Sequence, residues 1–206
     1  MSCQFDKQTK LPFNNNDSFS SAPFDLVHFD VWGPASLTTE GGSHYFVIFF
    51  YDYSKLTWIY MLKYRSDLIH IFQTFHKIIQ TQFSLTIKVF HSENAQEYHN
   101  KSFLSILDSN GIFPHHSCPY TFQQNGSAER KLRHILDVMR TLLISSFIPE
   151  RFWGKAALTA VYTLNRILSP TTHKKSPFEL LYDKLPNYSS LRVFDCVCFA
   201  SLPSHE

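Results

Sequence analysis

The apolar residues change period several times along the chain, and each change marks an element. Segments 24–32 (FDLVHFDVW), 43–53 (SHYFVIFFYDY) and 57–63 (TWIYMLK) are dense in β-branched and aromatic residues and have strand length. Only the short turn around DYSKL separates the last two, so they are expected to pair antiparallel. Leu68, Ile71, Phe72, Phe75, Ile78 and Ile79 then recur at the helical period and predict a helix over 67–83 with Ser66 as its N-cap. A strand opens the stretch TIKVFHSENAQEYHN (86–100), where a period of two puts Ile87, Val89, His91 and Glu93 on one side. A shorter helix over 101–109 stops at Asn110 and Gly111, and IFPHHSCPY supplies a fifth short strand. A long helix spans 125–146, and Pro149 opens another through RFWGKAALTAVYTLNRIL. LRVFDCVCFA (191–200) is one more strand candidate.

Three consecutive strands followed by alternating helices and strands predict an α/β fold. The expected architecture is a mixed five-stranded sheet flanked by helices on both faces. The first 22 residues are polar and irregular and read as a linker or frayed arm. The start, MSCQFDKQTK, has no apolar core of a signal peptide, and no apolar run reaches membrane-spanning length.

Composition changes this picture little. With 44% hydrophobic residues and 16% aromatic ones, the chain has the makings of a sizeable core. A formal net charge of +2 with eleven His is too weakly basic to announce nucleic acid by itself, so distribution has to carry that case. Cys3, Cys118, Cys196 and Cys198 form no disulfide framework and no complete zinc spacing, which fits reduced thiols in an intracellular protein. HHSC (115–118) tempts a metal reading but has no second ligand pair, and CVC (196–198) reads as core strand.

The acids are more informative. Asp30 stands inside the first strand on the side of Leu26 and His28, where an ionised carboxylate is costly without a partner. Glu93 continues an apolar face just where its strand ends. Glu129 precedes the stripe of Leu132, Ile135, Leu136, Met139, Leu142 and Leu143 by one turn, on the same face. Taken alone, Glu129 is also an ordinary first-turn acid favoured by the helix dipole. Together, three carboxylates at the edges of apolar faces repel one another unless a cation joins them. Oxygen-only ligands suit Mg²⁺ or Mn²⁺, and two such ions can activate a water and stabilise the leaving oxygen of a phosphodiester. Beside Glu129, the residues Arg130, Lys131, Arg133, His134 and Arg140 ride the outer parts of the helix, as a phosphate-binding face or an ordinary solvated one. Gln123, Gln124 and Asn125 precede it, as nucleic-acid contacts or as caps and turns.

Five ordered blocks carry a resemblance: HFDVWGP, YFVIFFYDYSKLTWIYML, HSENAQEY, PYTFQQNGSAERK and FWGKAALTAVYTLNR. They resemble the integrase core of copia-type LTR retrotransposons, over roughly residues 23 to 200. Residues 94 to 128, which separate Glu93 from Glu129, number 35, the spacing that family keeps between its second and third acids. The resemblance implies a ribonuclease H-like fold and a catalytic metal site on Asp30, Glu93 and Glu129 with two Mg²⁺ or Mn²⁺ ions. It implies transfer of transposon cDNA ends into target DNA, self-association, and nuclear action where the protein is functional. It also favours DNA contact by Gln123, Gln124, Asn125, Arg130, Lys131 and Arg133.

Departures from the pattern set further expectations. The family usually reads Asp-Asn-Gly-Gly-Glu-Tyr where this chain has ENAQEY, so a longer acid fills the second position and Ala95 and Gln96 replace glycines. Weakened transfer activity follows from that change, and a remnant that only binds nucleic acid or a partner protein is the alternative. A stand-alone ribonuclease H-type nuclease shares the fold, but QQNGSAERK matches integrases better. CQFDKQTKLPF resembles the end of the family's upstream zinc module, with Cys3 at its final Cys ligand. The other ligands are absent from the chain, so zinc is not expected. The domain reading is a linker with a remnant of that module over 1–22, the catalytic core over 23–170, and the start of a carboxy-terminal extension over 171–206. On this reading the chain is a truncated core.

Overall fold

The computed structural model describes residues 24–92, 101–116 and 126–197. Five strands form one sheet: β1 (Leu26–Trp32), β2 (Tyr45–Tyr51), β3 (Thr57–Leu62), β4 (Val89–Ser92) and β5 (Phe113–His116). Their spatial order is β3-β2-β1-β4-β5. The first three pair antiparallel, while β4 runs parallel to β1 and β5 parallel to β4. The sheet is therefore mixed, as the order of strands and helices requires. The helices are α1 (Leu68–Phe83), α2 (Lys101–Ser109), α3 (Gly126–Ser145), α4 (Trp153–Leu164) and α5 (Pro177–Tyr182). No helix among the described residues is long and apolar enough to cross a membrane.

Strand alternation divides the core in two. Val27, Phe29, Val47, Phe49 and Tyr51 point to the side covered by α1 and α2, where they meet Phe72, Phe75, Ile79, Phe103 and Leu107. This layer is aromatic: Phe49 stacks on Phe75 at 4.3 Å and Phe29 on Phe90 at 4.5 Å between ring centroids. Each such buried ring contributes on the order of 2–3 kcal/mol from burial alone. The opposite layer joins Phe46 and Ile48 to Ile135 and Met139 of α3 and to Trp153, Ala156, Ala157 and Ala160 of α4. The alanines let α3 and α4 pack closely on the sheet, and α4 itself is apolar on nearly every inward position.

Two contacts explain residues within the recurrent sequence blocks. Gly33 directly follows β1 at φ +128°, a conformation that L residues with a side chain rarely adopt. A Cβ there would lie 2.6 Å from Tyr45 Cδ1 and 2.7 Å from the His44 carbonyl oxygen. Asn165 caps α4 and reaches β3: its Oδ1 accepts the Thr57 N–H at 3.0 Å and its Nδ2 donates to the Thr57 carbonyl at 2.7 Å. Its own carbonyl accepts the Phe178 N–H at 2.8 Å, which fastens the start of α5. Asn165→Ala is expected to cost about 2–4 kcal/mol in urea unfolding, because both backbone groups of Thr57 lose their partner in a buried place. A loss below about 1 kcal/mol would show that water replaces the amide there.

Three expectations are corrected. Ser66 does not cap α1: residues Arg65–Asp67 form a 3-10 turn, Asp67 is the N-cap, and its carboxylate accepts the Tyr64 N–H at 3.0 Å. Ile87 does not share the face of Val89 and His91; it lies before β4 begins and packs in the aromatic layer with Phe90. The segment 191–197 is no strand, since a turn occupies Phe194 and Asp195. Cys196 is exposed there rather than core, while Cys198 lies outside the described residues. Phe194 alone turns inward, against the α3–α4 layer.

Candidate metal centre and nucleic-acid interface

The centre of the sheet sets the frame. β1 lies between β2 and β4, and its even-numbered residues face α3 and α4. Asp30 is one of these, opposite Ile48 of β2. It is half-buried, and its Oδ1 accepts the Val31 N–H at 2.8 Å. That bond offsets part of the desolvation cost of a carboxylate within a central strand.

β4 brings the chain alongside. Its register against β1 puts Phe90 opposite Val27 and His91 opposite His28, and β4 ends at Ser92, the residue before Glu93. Glu93, Gln123, Gln124 and Asn125 lie outside the described residues. α3 then crosses β1 and β2 on the Asp30 side. Ala128 is fully buried in its first turn, Glu129 next to it is half-buried, and Arg130 is exposed. Glu129 thus stands at the edge of the buried stripe, near the positive end of the helix dipole. The described residues bring together one strand and one helix that each carry a half-buried acid. They gather no set of three His, Cys, Asp or Glu side chains able to hold a metal ion.

The basic residues separate into two groups. Arg130 and Arg133 are exposed, and Arg130 donates to Ser127 Oγ at 3.4 Å. Lys131 is not on the outer part of the helix. Its Nζ lies over the Phe50 ring, 5.7 Å from the centroid, and donates to the Lys55 carbonyl at 3.5 Å. Burial, and secondarily the charge of Lys55, pulls its ammonium down to about 8. The helical period is the reason: Lys131 sits between Ala128 and Ile135 on the inward side. Its long stem reaches the open end of the layer.

A polar string next to Asp30 was not singled out from the sequence. Lys55 Nζ pairs with Asp52 Oδ1 at 2.8 Å, and the same oxygen lies 4.0 Å from His28 Nε2. His28 Nδ1 hydrogen-bonds His91 Nδ1 at 2.9 Å, and the His91 ring stacks on that of exposed His115 at 4.8 Å. The signal was present: His28 and His91 each precede a candidate acid by two residues. His115 therefore acts as a ring neighbour within the string. The rest of HHSC beyond residue 116 lies outside the described residues.

Comparison with known proteins agrees with the fold. Residues 20–121 match the integrase core domain. The chain is 35% identical over 204 residues to the retrovirus-related Pol polyprotein from transposon TNT 1-94 of Nicotiana tabacum, covering 99% of this chain and 15% of that protein. It is 35% identical over 197 residues to the corresponding polyprotein from transposon RE1 of Arabidopsis thaliana, covering 96% of this chain and 13% of that one. A truncated Ty1-A Gag-Pol polyprotein of Saccharomyces cerevisiae is 30% identical over 172 residues, 82% of this chain and 14% of the relative. The chain therefore spans only a small part of the curated relatives it matches. Among solved structures, the HTLV-2 integrase catalytic core domain in complex with magnesium, in a trimeric form, superposes with a TM-score of 0.56 at 15% identity, covering 78% of this chain and 97% of that one. A chain of the simian T-cell lymphotropic virus intasome with PP2A regulatory subunit B56 gamma gives a TM-score of 0.61 at 14% identity, covering 88% and 61%. These two likenesses establish the ribonuclease H-like fold. With that fold and these relatives, the chain belongs to the integrase core domain family of retrotransposon Pol polyproteins.

Proposed function

We propose that this chain is the catalytic core of a DNA-integrating polynucleotidyl transferase, with Asp30, Glu93 and Glu129 as its metal ligands. The observation that carries the reading is the packing of α3 across β1. It puts two half-buried acids, Asp30 and Glu129, on elements that share one face of the sheet. β4 supports it, since it runs beside the strand that carries Asp30 and ends at Ser92, the residue before Glu93 in the sequence. The donors are carboxylate oxygens, which fit Mg²⁺ or Mn²⁺ and not zinc. When bound, two such ions supply Lewis-acid activation of an attacking hydroxyl and charge stabilisation at the reacting phosphate. The residues of the chain hold the ions, orient the backbone of the DNA and bring its end to the acids. The core is proposed to span 23–170, with a linker before it and the start of an extension after it. Self-association and nuclear action belong to the same reading.

The test is a strand-transfer and nicking assay of the purified chain on a short pre-processed DNA end, with Mg²⁺, Mn²⁺ or a chelator. Metal-dependent product is expected, stronger with Mn²⁺, whose coordination tolerates a longer acid. Absence of product in both metals, with DNA binding retained, would favour a remnant that only binds.

The DNA-binding face is proposed on Arg130 and Arg133 with Gln123, Gln124 and Asn125. Lys131 contributes less, because its ammonium is partly buried and its pKa near 8 leaves it easier to neutralise. Replacing Arg130 and Arg133 by Ala is expected to lower the log–log dependence of DNA affinity on salt by roughly one unit per residue. An unchanged slope would assign both arginines to a solvated face.

A further inference from the structure

Resting on the metal-site reading above, we propose that His28 and His91 are positioning residues, whose ring-to-ring hydrogen bond fixes β4 against β1 and so steadies the strand that carries Asp30. The pair joins the two strands two residues before Asp30, on the same face of β1. His28 and His91 are opposite each other in the parallel register, and their Nδ1 atoms are 2.9 Å apart. Both side chains are buried, at 7% and 3% exposure, so the bond is shielded from water that would otherwise replace it.

The chemistry of the contact demands complementary rings. Two Nδ1 atoms can share one proton only if one ring donates and the other accepts. With Nδ1 facing Nδ1, one ring carries its proton on Nδ1 and the other on Nε2. Asp52 Oδ1 lies 4.0 Å from His28 Nε2 and is itself held by Lys55 at 2.8 Å. The string therefore runs from the β2–β3 turn through β1 to β4. β4 is only four residues long, so a side-chain tie at its third residue is a large share of what holds it to β1. Neither ring is a metal ligand in this proposal; the pair acts through the placement of Asp30.

The experiment compares the wild-type chain with His28→Phe, His91→Phe, His28→Asn and His91→Asn. Phe keeps the ring and removes its nitrogens, whereas Asn keeps a hydrogen-bonding atom at the place of Nδ1. Mn²⁺ affinity is measured by calorimetry without DNA, and amide hydrogen exchange is followed at Phe90, His91 and Ser92. The Phe variants are expected to bind Mn²⁺ roughly tenfold more weakly, the low end of the effect of groups behind metal ligands. Their β4 amides should exchange about tenfold faster, with α4 unchanged. The Asn variants should stay within about threefold of wild type in both readouts. Equal losses in Phe and Asn variants, or no loss in Phe, would overturn the proposal. Ring ¹⁵N spectra of the wild-type chain test it without any substitution: one of the two rings is expected with its proton on Nδ1 and the other with its proton on Nε2. Two rings in the same tautomer would also overturn it. A wild-type chain that binds no Mn²⁺ while the β4 exchange pattern holds would remove the metal reading, and this proposal with it. The exchange data separate that failure from the absence of the tie itself.

Discussion

Asp30→Asn is expected to lower metal-dependent strand transfer by about 10³-fold or more, while leaving the chain folded. The magnitude follows from what a divalent ion contributes: several kcal/mol of charge stabilisation, each 1.36 kcal/mol being tenfold in rate. A neutral amide cannot balance that charge. The fold should survive because Asn is nearly the same shape and its Oδ1 can still accept the Val31 N–H that Asp30 accepts at 2.8 Å. The metal-free Tm of the variant should stay within a few degrees of wild type, because that bond is kept. Glu129→Gln should fall equally far, since it sits on the packed helix facing the same sheet. The double variant should be little worse than either single one, because ligands of one centre act as a unit. Single-turnover assays in Mg²⁺ and Mn²⁺ beside thermal melts without metal would check this. Activity within tenfold of wild type in Asp30→Asn would remove Asp30 from the metal centre.

The same contrast between local pattern and tertiary placement decides what could be seen in the sequence. Strand and helix positions were legible because the inward residues are large and apolar: YFVIFFY is buried along almost its whole length and is β2. The helix 101–109 was legible to the residue, as Phe103 and Leu107 mark its buried side. LRVFDCVCFA misled because its composition suits a strand, yet the described part turns at Phe194 and meets no sheet edge. Strand propensity needs a neighbour to pair with, and composition does not reveal one. Ser66 misled for a related reason: Asp67 one residue later takes the cap and closes the turn on the Tyr64 N–H.

For the site, Asp30 and Glu129 were legible as acids at the margins of apolar faces, which the structure describes as half-buried. Lys131 was misplaced because a basic residue beside two arginines reads as surface. Its position one turn after Ala128 puts its stem inward, and the chain length of lysine carries the ammonium to Phe50 and the Lys55 carbonyl. The His28–His91 contact depends on strand register between segments 63 residues apart, which no local period specifies. Asn165 belongs with it: a hydrogen-bonded pair 108 residues apart in sequence is visible only once α4 lies against the start of β3.

Glu93→Asp is expected to raise Mg²⁺-dependent transfer, by up to ~10²-fold if alignment alone is at fault. The side chain of Glu is one methylene longer than that of Asp, a displacement on the order of 1 Å at the carboxylate, and a misplacement of that size at a reacting centre has this cost. Mg²⁺ demands nearly ideal octahedral coordination at about 2.0–2.1 Å, so it should be the more sensitive metal. The ratio of Mn²⁺ to Mg²⁺ activity should therefore fall on going from Glu to Asp. Glu93→Gln should abolish whatever activity exists, because it keeps the length and removes the charge. Ala95 and Gln96, where the family usually has glycines, set the ceiling: a stiffer backbone beside the site would keep part of the defect after the acid is shortened. Restoring both glycines in the Asp background separates the two causes, since a length defect responds to Asp alone and a backbone defect only to the combination. The four proteins should be assayed on one pre-processed DNA end in both metals, at equal DNA occupancy. Equal activity of the Glu and Asp forms, well above the Gln form, would show that the site accommodates the longer acid. Product absent from every form, with DNA binding intact, would leave this copy as a binding module on an integrase fold.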